Sequence, residues 1–405
     1  MALTQAPGVT IEHEPGGDRT MILNMGPQHP STHGVLRLVV EIDGETIVRI
    51  MPDIGYLHTG IEKTTEAKFY QQVVPLTDRI DYLCPMTNNL AYCLAVEKLL
   101  GLEIPKRAQW IRVMLNELTR INSHLVWLGT HAMDIGALTV FLYCFRERED
   151  LLRLFEMVSG QRMMTSYFRI GGVSLDLPLN FLARVKDFAD RFPSNIDQYE
   201  NLLTNNPIFV RRLKGVAYIS PEDAIALGAS GPTLRASGVD IDLRRDTPYS
   251  GYENFRFKVP TSNVGDVYAR YLVRVQELRE SIGIVKQALE GMPEAGPTKA
   301  DAPKIVLPDR ENMKTQMESL IYHFKIITEG FTVPAGEVYS AIESPRGEMG
   351  YYIVSDGTAK PYRVHMRSPS FANLQTLPVM CEGRLIADVV AAIGSIDIVL
   401  GDCDR

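Results

Sequence analysis

The chain has 405 residues, of which 45% are hydrophobic and 22% are charged, and its formal net charge at pH 7 is −7. These values are typical of a globular protein with a substantial core, and the negative charge argues against a broad nucleic-acid-binding surface. The first residues have neither a basic start nor an apolar run, so we expect no signal peptide. The most apolar stretches, at 138–145 and 387–393, are too short to span a membrane.

The chain contains none of the common nucleotide- or metal-binding motifs. Neither GxGxxG, GxxxxGK[ST] nor HExxH occurs in the sequence. The cysteines have no CxxC spacing, which indicates buried thiols in a reducing compartment and argues against a cluster held by this chain alone. Any redox chemistry therefore depends on a substrate or cofactor that is held in another way. The cysteines are Cys84, Cys93, Cys144, Cys381 and Cys403.

Taken in order, the elements predict a helix-rich α+β chain with β structure near both ends. Residues 1–20 are polar and predicted to be loose. Strands are predicted within 20–54, with Asp43-Gly44 as a hairpin turn, and turns with short strands are predicted over 336–364. A helix is predicted from 60 towards Pro75, and a loop at 290–303. The other predicted helices are 88–100, 105–134, 138–158, 181–205, 221–226, 267–289, 313–328 and 385–396.

A loop near the N-terminus, at 24–37, presents two histidines ahead of a predicted strand. Pro27 and Pro30 exclude a regular helix there, and His29 and His33 lie between glycines that permit sharp turns. Because rigid polar loops often carry function, this loop is a candidate site. An ordinary turn with two surface histidines is the simpler interpretation.

The strongest helical periodicity runs from Pro105 to about Asp134. Apolar residues occupy one side at about 100° per residue, and the opposite arc is polar. Such an arc usually faces water. Lysine is expected on a face that only provides solubility, and this arc has none, so a buried polar seam is the alternative. The arc contains Arg112, Asn116, Glu117, Arg120, His124, His131 and Asp134.

Ten ordered motifs resemble the 49 kDa subunit family (the D subunit) of proton-translocating NADH:quinone oxidoreductase, respiratory complex I. They run from about residue 19 to the C-terminal residue. The resemblance implies one hydrogenase large-subunit-like domain over 21–405, with a β hairpin region at 21–54, a helical core at 60–330 and a C-terminal β and helix segment at 331–405. The motifs include GPQHPSTHGVLRL (26–38), GYLHTGIEK (55–63), DRIDYLCPM (78–86), HAMDIGA (131–137), ESPRGEMGYYIVSDG (343–357) and IDIVLGDCDR (396–405).

The same resemblance relates the chain to the large subunit of nickel–iron hydrogenases, which bind their metal through two CxxC pairs. The corresponding stretches here are 79–84 and 401–404, and each contains only one cysteine, Cys84 and Cys403. Four thiolate ligands cannot be assembled, so soft-ligand nickel chemistry has no ligand set. We therefore expect no metal site and no nickel or iron–sulfur cluster bound by this chain alone, and a hydrogenase-like activity is disfavoured.

By motif, the resemblance implies that His33 and Tyr82 donate hydrogen bonds to a quinone headgroup, and that Asp134 is the carboxylate paired with His33. A phenol is a neutral donor at neutral pH, and an imidazole can change its charge there. Taken alone, Tyr82 is more often a core tyrosine and Asp134 a helix-end acid. The resemblance also implies quinone-channel positions at His29, Thr59, Leu83 and Met86, and cluster-facing positions at His58, Arg79, Arg112 and His124.

The implied function is that of the quinone-site subunit in the peripheral arm of complex I, inactive by itself. Electrons would pass from an iron–sulfur cluster on a neighbouring subunit to a quinone such as ubiquinone, coupled to proton translocation, while FMN and the clusters are held by other subunits. The implied partners are subunits B, C and I, of which the first carries the cluster, and the membrane subunits H and A, at the cytoplasmic face of a bacterial inner membrane. A non-catalytic docking scaffold is the alternative.

Overall fold

The computed structural model describes residues 9–12 and 20–405 as a helix-rich α+β fold. The strands are β1 (Val9–Glu12), β2 (Thr20–Met25), β3 (Arg37–Asp43), β4 (Thr46–Asp53), β5 (Phe168–Arg169), β6 (Gly172–Val173), β7 (Gly336–Ser344), β8 (Gly347–Ser355) and β9 (Arg363–Arg367). They form a sheet of order β1-β2-β3-β4, a β5-β6 pair and a sheet of order β7-β8-β9, all antiparallel. The predicted fold class is confirmed, whereas the likeness to a hydrogenase subunit stays a prediction.

Helices make up most of the chain between and after these sheets. They are α1 (Ile61–Glu66), α2 (Tyr70–Thr77), α3 (Pro85–Leu100), α4 (Lys106–Asp134), α5 (Leu138–Ser159), α6 (Phe181–Leu203), α7 (Pro207–Leu213), α8 (Pro221–Ala226), α9 (Gly231–Arg235), α10 (Leu243–Asp246), α11 (Val267–Gly291), α12 (Arg310–Thr315), α13 (Met317–Glu329), α14 (Pro369–Leu374), α15 (Leu377–Cys381), α16 (Ile386–Ile396) and α17 (Leu400–Asp404). Within the described residues, none of these helices has both the length and the apolarity needed to cross a bilayer.

The N-terminal sheet carries the histidine loop between β2 and β3. These strands pair antiparallel from Thr20 with Asp43 to Met25 with Leu38, and β3 buries every second residue, as a strand with one covered face does. The segment 1–20 was predicted to be loose, and this is corrected for β1, which pairs with β2 and completes the sheet. The rest of that segment before β2, 1–8 and 13–19, lies outside the described residues.

Helix α4 lies at the centre of the helical core, where it packs against α3, α5, α11 and α16. Its polar arc is buried: the arc residues from Arg112 to His131 are all 0% exposed, and Asp134 at the end is partly buried. The alternative of a buried polar seam is therefore correct, and the usual water-facing interpretation does not hold here. The absence of lysine from the arc was the signal, because a lysine ammonium is strongly hydrated and rarely fully buried.

The remaining differences from the predicted elements are local. Helix α3 begins three residues early because Pro85 is compatible with a first helical position. The stretch after Gly60 forms two helices, and Pro75 lies inside the second, α2, rather than ending it. The stretch 230–252, which is rich in Gly, Pro and Asp and was given no predicted helix, contains the short helices α9 and α10.

Candidate functional site

His33 and Asp134, from distant parts of the sequence, meet at the C-terminal end of α4. His33 Nε2 lies 3.1 Å from Asp134 Oδ2, and the side chains are 15% and 11% exposed. Although this distance fits an ion pair, neither atom has a well-aligned hydrogen bond. We therefore regard the contact as a close approach of the imidazole and the carboxylate with poor hydrogen-bond angles, since hydrogen bonding weakens steeply away from linearity.

The loop that carries His33 is held by its own hydrogen bonds. A short 3-10 helix, Pro30–Thr32, is capped at its start by His29, whose Nδ1 accepts a bond from the Ser31 amide at 3.2 Å. His33 follows this turn in the left-handed region, with φ 51° and ψ 39°. Positive φ is uncommon for a residue with a side chain, so the surrounding loop determines where the imidazole points.

Tyr82 approaches the same neighbourhood from the connector between α2 and α3. A Cβ on Gly34 would lie 3.2 Å from Leu400 Cδ1, and a Cβ on Gly401 would lie 3.4 Å from Tyr82 Cε1. Since Leu400 and Gly401 are consecutive in α17, the residue after His33 and the ring of Tyr82 border neighbouring positions of one helix. Tyr82 is half-buried, and burial, with Asp81 beside it, raises the pKa of its phenol, which therefore stays a neutral donor.

A buried ion-pair cluster fixes the connector that carries Tyr82. Arg346, in the turn between β7 and β8, contacts Asp81 Oδ2 at 2.6 Å and Asp397 Oδ1 at 3.2 Å. The Cys84 thiol donates to Asp81 Oδ2 at 2.8 Å. Burial, then the Asp81 charge, raises the pKa of Cys84 well above its usual value, so the group is a thiol rather than a thiolate ligand.

Acids along the buried arc of α4 and on the helix that faces it are paired. Glu277 on α11 accepts from Arg235 at 2.6 Å and from His124 at 2.8 Å. Burial would raise its pKa, but Arg235 and then His124 hold it well below its usual range. Glu117 accepts hydrogen bonds from Tyr252 at 2.6 Å and Ser281 at 2.7 Å, and pairs with Arg244 at 3.2 Å. Buried hydrogen-bond networks of this kind hold helices in one arrangement.

Comparison with known proteins identifies the family. A family model described as the respiratory-chain NADH dehydrogenase 49 Kd subunit matches residues 134–405. A Koribacter versatilis protein, named as a second D subunit of NADH-quinone oxidoreductase, is 82% identical over 392 residues, which cover 97% of this chain and 98% of the relative. The chain belongs to the 49 kDa subunit family of respiratory-chain NADH dehydrogenase.

Two further relatives agree. A protein from Solibacter usitatus, named as a first D subunit of NADH-quinone oxidoreductase, is 67% identical over 410 residues, covering 100% of both chains. The D subunit from Geotalea uraniireducens is 58% identical over 385 residues, covering 95% of this chain and 98% of the relative. The predicted membership of the 49 kDa subunit family is confirmed, and with it the prediction of a subunit of an oxidoreductase complex.

The other predicted site residues of this 49 kDa family member lie in different surroundings. His58, Thr59 and Arg79 are exposed, and His58 Nδ1 lies 2.6 Å from the backbone oxygen of Asp404, next to α17. His29 uses its Nδ1 to cap the 3-10 turn. Leu83 is half-buried beside Tyr82, whereas Met86 is wholly buried in the core. Roles in a quinone channel or towards a cluster stay predictions for these residues.

Arg112 and His124, predicted to face a cluster on a partner, lie inside the chain. Both side chains are 0% exposed. The Arg112 guanidinium donates to Glu97 at 2.9 and 2.6 Å and to the backbone of β6, and His124 contacts Glu277. Both residues are thus members of the buried network, and a role towards a cluster stays a prediction for them.

Sequence reasoning gave no role to His131, although it lies on the polar arc, and it left the role of Arg346 open. The motifs around Asp81, Arg346 and Asp397 were visible in the sequence. Nothing in a one-dimensional pattern shows that these three segments converge, because the spacing between them is not periodic. Within the part of the chain that the structure describes, no three His, Cys, Asp or Glu side chains are arranged to hold a metal ion.

Proposed function

We propose that this chain forms the quinone-reducing site in the peripheral arm of complex I, with His33 and Tyr82 as the hydrogen-bond donors to the two quinone oxygens. The observation that carries the proposal is the contact between His33 and Asp134, in a fold where Gly34, next to His33, and the ring of Tyr82 lie against consecutive residues of α17. The half-buried Tyr82 phenol and the His33 imidazole beside Asp134 have little structural purpose, since neither is needed to satisfy a buried backbone group.

The chemistry of quinone reduction suits these two donors. A quinone becomes a quinol by taking up two electrons and two protons, one proton on each oxygen. His33 Nε2 faces Asp134, which leaves Nδ1 to donate to one oxygen, and the neutral Tyr82 hydroxyl donates to the other. Donors placed within hydrogen-bond reach contribute about 10²–10⁴-fold to such proton transfers. When His33 releases its proton, the Asp134 carboxylate loses its cationic partner, and this local change in charge is the proposed start of coupling to proton translocation.

The electrons are supplied in this proposal by an iron–sulfur cluster on the neighbouring B subunit, and FMN and the other clusters are held elsewhere in the complex. The exposed His58 and Arg79 are the proposed contacts to that cluster-bearing neighbour, because their segments lie next to α17 or Tyr82. Subunits C and I and the membrane subunits H and A are the other proposed neighbours. Such an assembly lies at the cytoplasmic face of a bacterial inner membrane.

The test is Tyr82→Phe in the assembled complex, which removes the hydroxyl and keeps the ring. We expect NADH:quinone reductase activity with a short-chain quinone to fall by about 10²-fold, while reduction of ferricyanide by NADH, which does not need the quinone site, is unchanged. The matched control is Tyr362→Phe, since Tyr362 is 69% exposed and its hydroxyl has no role in the proposal. Normal quinone reduction by an assembled Tyr82→Phe complex would contradict the proposal.

A second variant separates a quinone site from a docking scaffold. His33→Ala is expected to lower quinone turnover with ferricyanide activity and subunit stoichiometry intact. If both activities and the amount of assembled complex fell in parallel, the residue would serve assembly, and the scaffold alternative would be favoured.

A further inference from the structure

The inner end of the candidate site contains buried polar atoms that have no well-aligned hydrogen bond. His33 Nε2, Asp134 Oδ2 and both ring nitrogens of His131 are all in this state. Leaving such a group unpaired destabilises the fold, and most buried polar groups in proteins are paired. His131 is completely buried, so its two unpaired nitrogens need an explanation.

His131 lies on the same face of α4 as Asp134 and is fixed by its neighbours. Residues three apart in a helix have Cβ atoms about 5–6 Å from one another. The His131 ring stacks on Trp127, with centroids 5.5 Å apart and planes 16° apart, and meets the edge of Phe209 at 6.4 Å. A Cβ on Gly394 of α16 would lie 2.4 Å from Nδ1, so only a glycine at that position leaves space for this imidazole.

His131 is kept neutral by its surroundings. Burial, then the charges of His33, Arg274 and Arg270, lowers its pKa to about 3. His33 lies in the loop after β2, and the two arginines lie on α11, so cationic groups face the ring from both elements. A neutral imidazole always carries one N–H donor and one acceptor nitrogen, and here neither is committed to a partner.

We propose that His131 is a positioning residue that donates its N–H to the Asp134 carboxylate when His33 has given up its proton. This inference rests on the proposed function. Before quinone reduction, Asp134 is held by the His33 imidazolium. During reduction, the N–H bond of His33 breaks and an O–H bond forms on the quinone. The carboxylate then turns towards His131, whose N–H forms a hydrogen bond to it, and no proton leaves His131.

His131 thereby stabilises the discharged state of the pair. Hydrogen bonds to a charged group are stronger than those between neutral groups, and the new one replaces part of the lost attraction between His33 and Asp134. The same bond holds Asp134 away from His33 until a proton returns to that imidazole. Because the N–H of His131 has no hydrogen-bond partner before reduction, it is available to donate to Asp134.

The experiment compares His131→Phe, His131→Gln and Trp127→Phe in the assembled complex. His131→Phe keeps an aromatic ring on Trp127 without ring nitrogens, and His131→Gln restores a neutral N–H donor. We expect His131→Phe to lower kcat for a short-chain quinone about 5-fold or more with KM and ferricyanide reduction unchanged, and His131→Gln to recover kcat to within about 2-fold. Trp127→Phe keeps the imidazole and loses part of the stack, so its kcat should fall less than that of His131→Phe.

Redox-difference infrared spectra give a readout that a purely structural role would not move. We expect a carboxylate band that shifts on quinone reduction, disappears in Asp134→Asn and no longer shifts in His131→Phe. The inference is overturned if His131→Phe has the kcat of the wild type. It is also overturned if kcat falls equally in His131→Phe and Trp127→Phe and does not recover in His131→Gln. Tyr82→Phe distinguishes failure of this inference from failure of the proposed function. If quinone reduction is slow in the Tyr82→Phe complex and normal in the His131→Phe complex, only the inference about His131 is overturned.

Discussion

Replacing Arg346 by methionine tests whether the buried ion pairs fix the connector that carries Tyr82. The guanidinium contacts Asp81 Oδ2 at 2.6 Å and Asp397 Oδ1 at 3.2 Å, and the three side chains are 0%, 3% and 7% exposed. It also donates to the Asp397 backbone oxygen at 2.8 Å and to Ser123 Oγ at 2.9 Å. Methionine has a similar reach but no charge, so two carboxylates are left buried without their shared cation.

Removing one partner of a buried ion pair costs about 3–5 kcal/mol, because the remaining charge is uncompensated. We therefore expect Arg346→Met to lower the opening free energy of the connector by about 4 kcal/mol. The control is Arg363→Met: Arg363 is 48% exposed and lies 2.9 Å from Glu66, and an exposed pair is worth about 0–1 kcal/mol. The measurement is the local opening free energy of the 78–84 connector, from amide hydrogen exchange in the assembled complex. Adding Asp81→Asn should recover about 1 kcal/mol or more of the loss. Equal losses in the two arginine variants would refute this reasoning.

Three further predictions concern the core around α4. Glu277→Gln removes the charge that lies 2.6 Å from Arg235, and we expect it to lower the free energy of unfolding, measured by denaturant titration, by about 2–3 kcal/mol. Loss of an exposed acid such as Asp240 should lower it by under about 0.5 kcal/mol. Gly394→Ala places a Cβ 2.4 Å from His131 Nδ1. The cost of overpacking, about 1–3 kcal/mol, should outweigh the gain in helix propensity of about 1 kcal/mol, so the variant should be less stable. This loss of stability should vanish when His131 is also replaced by alanine. His131 has a pKa of about 3 in the fold and 6.5 as its ordinary value, so the unfolded chain binds more protons between these values and stability falls as pH falls. From pH 7.5 to 5.5 the contribution of His131 to the free energy of unfolding decreases by about 1.3 kcal/mol. Hydrogen exchange of α4 should show that this dependence on pH is absent from His131→Phe.

Elements with a strong local signal were predictable from the sequence. The periodicity over 105–134 predicted α4 within a residue at each end, and the Asp43-Gly44 turn fixed the β3–β4 hairpin. Local signals also gave the burial of the polar arc as an alternative, through its lack of lysine. They failed for β1, because a strand of four residues at the edge of a sheet is stabilised by pairing with its neighbour rather than by its own hydrophobic pattern.

The candidate site was predictable only in part for a different reason. The contact between His33 and Asp134 was implied by the family motifs, and the structure contains it. The motifs also implied that Arg112 and His124 face a cluster on a partner, and a sequence does not say which polar groups on one arc are paired by the rest of the fold. Arg112 and His124 are paired by Glu97 and Glu277, which come from α3 and α11. Long-range pairing of this kind produces no periodic pattern in the sequence.

The acids in the buried middle of the core and the acid at the C-terminal end of α4 differ in how many hydrogen bonds they accept, and this difference has a mechanical consequence. Around Glu117 and Glu277 the acids have several donors each, so moving one group would break a network whose members reinforce one another. Around Asp134 and His131 the polar atoms have no aligned partner, so a change of hydrogen-bond partner there breaks little. A change in charge at the Asp134 end can therefore move side chains locally without unfolding the helix. Because the rest of α4 is rigid, such a change is passed on through packed neighbours such as α16 rather than absorbed by the helix itself.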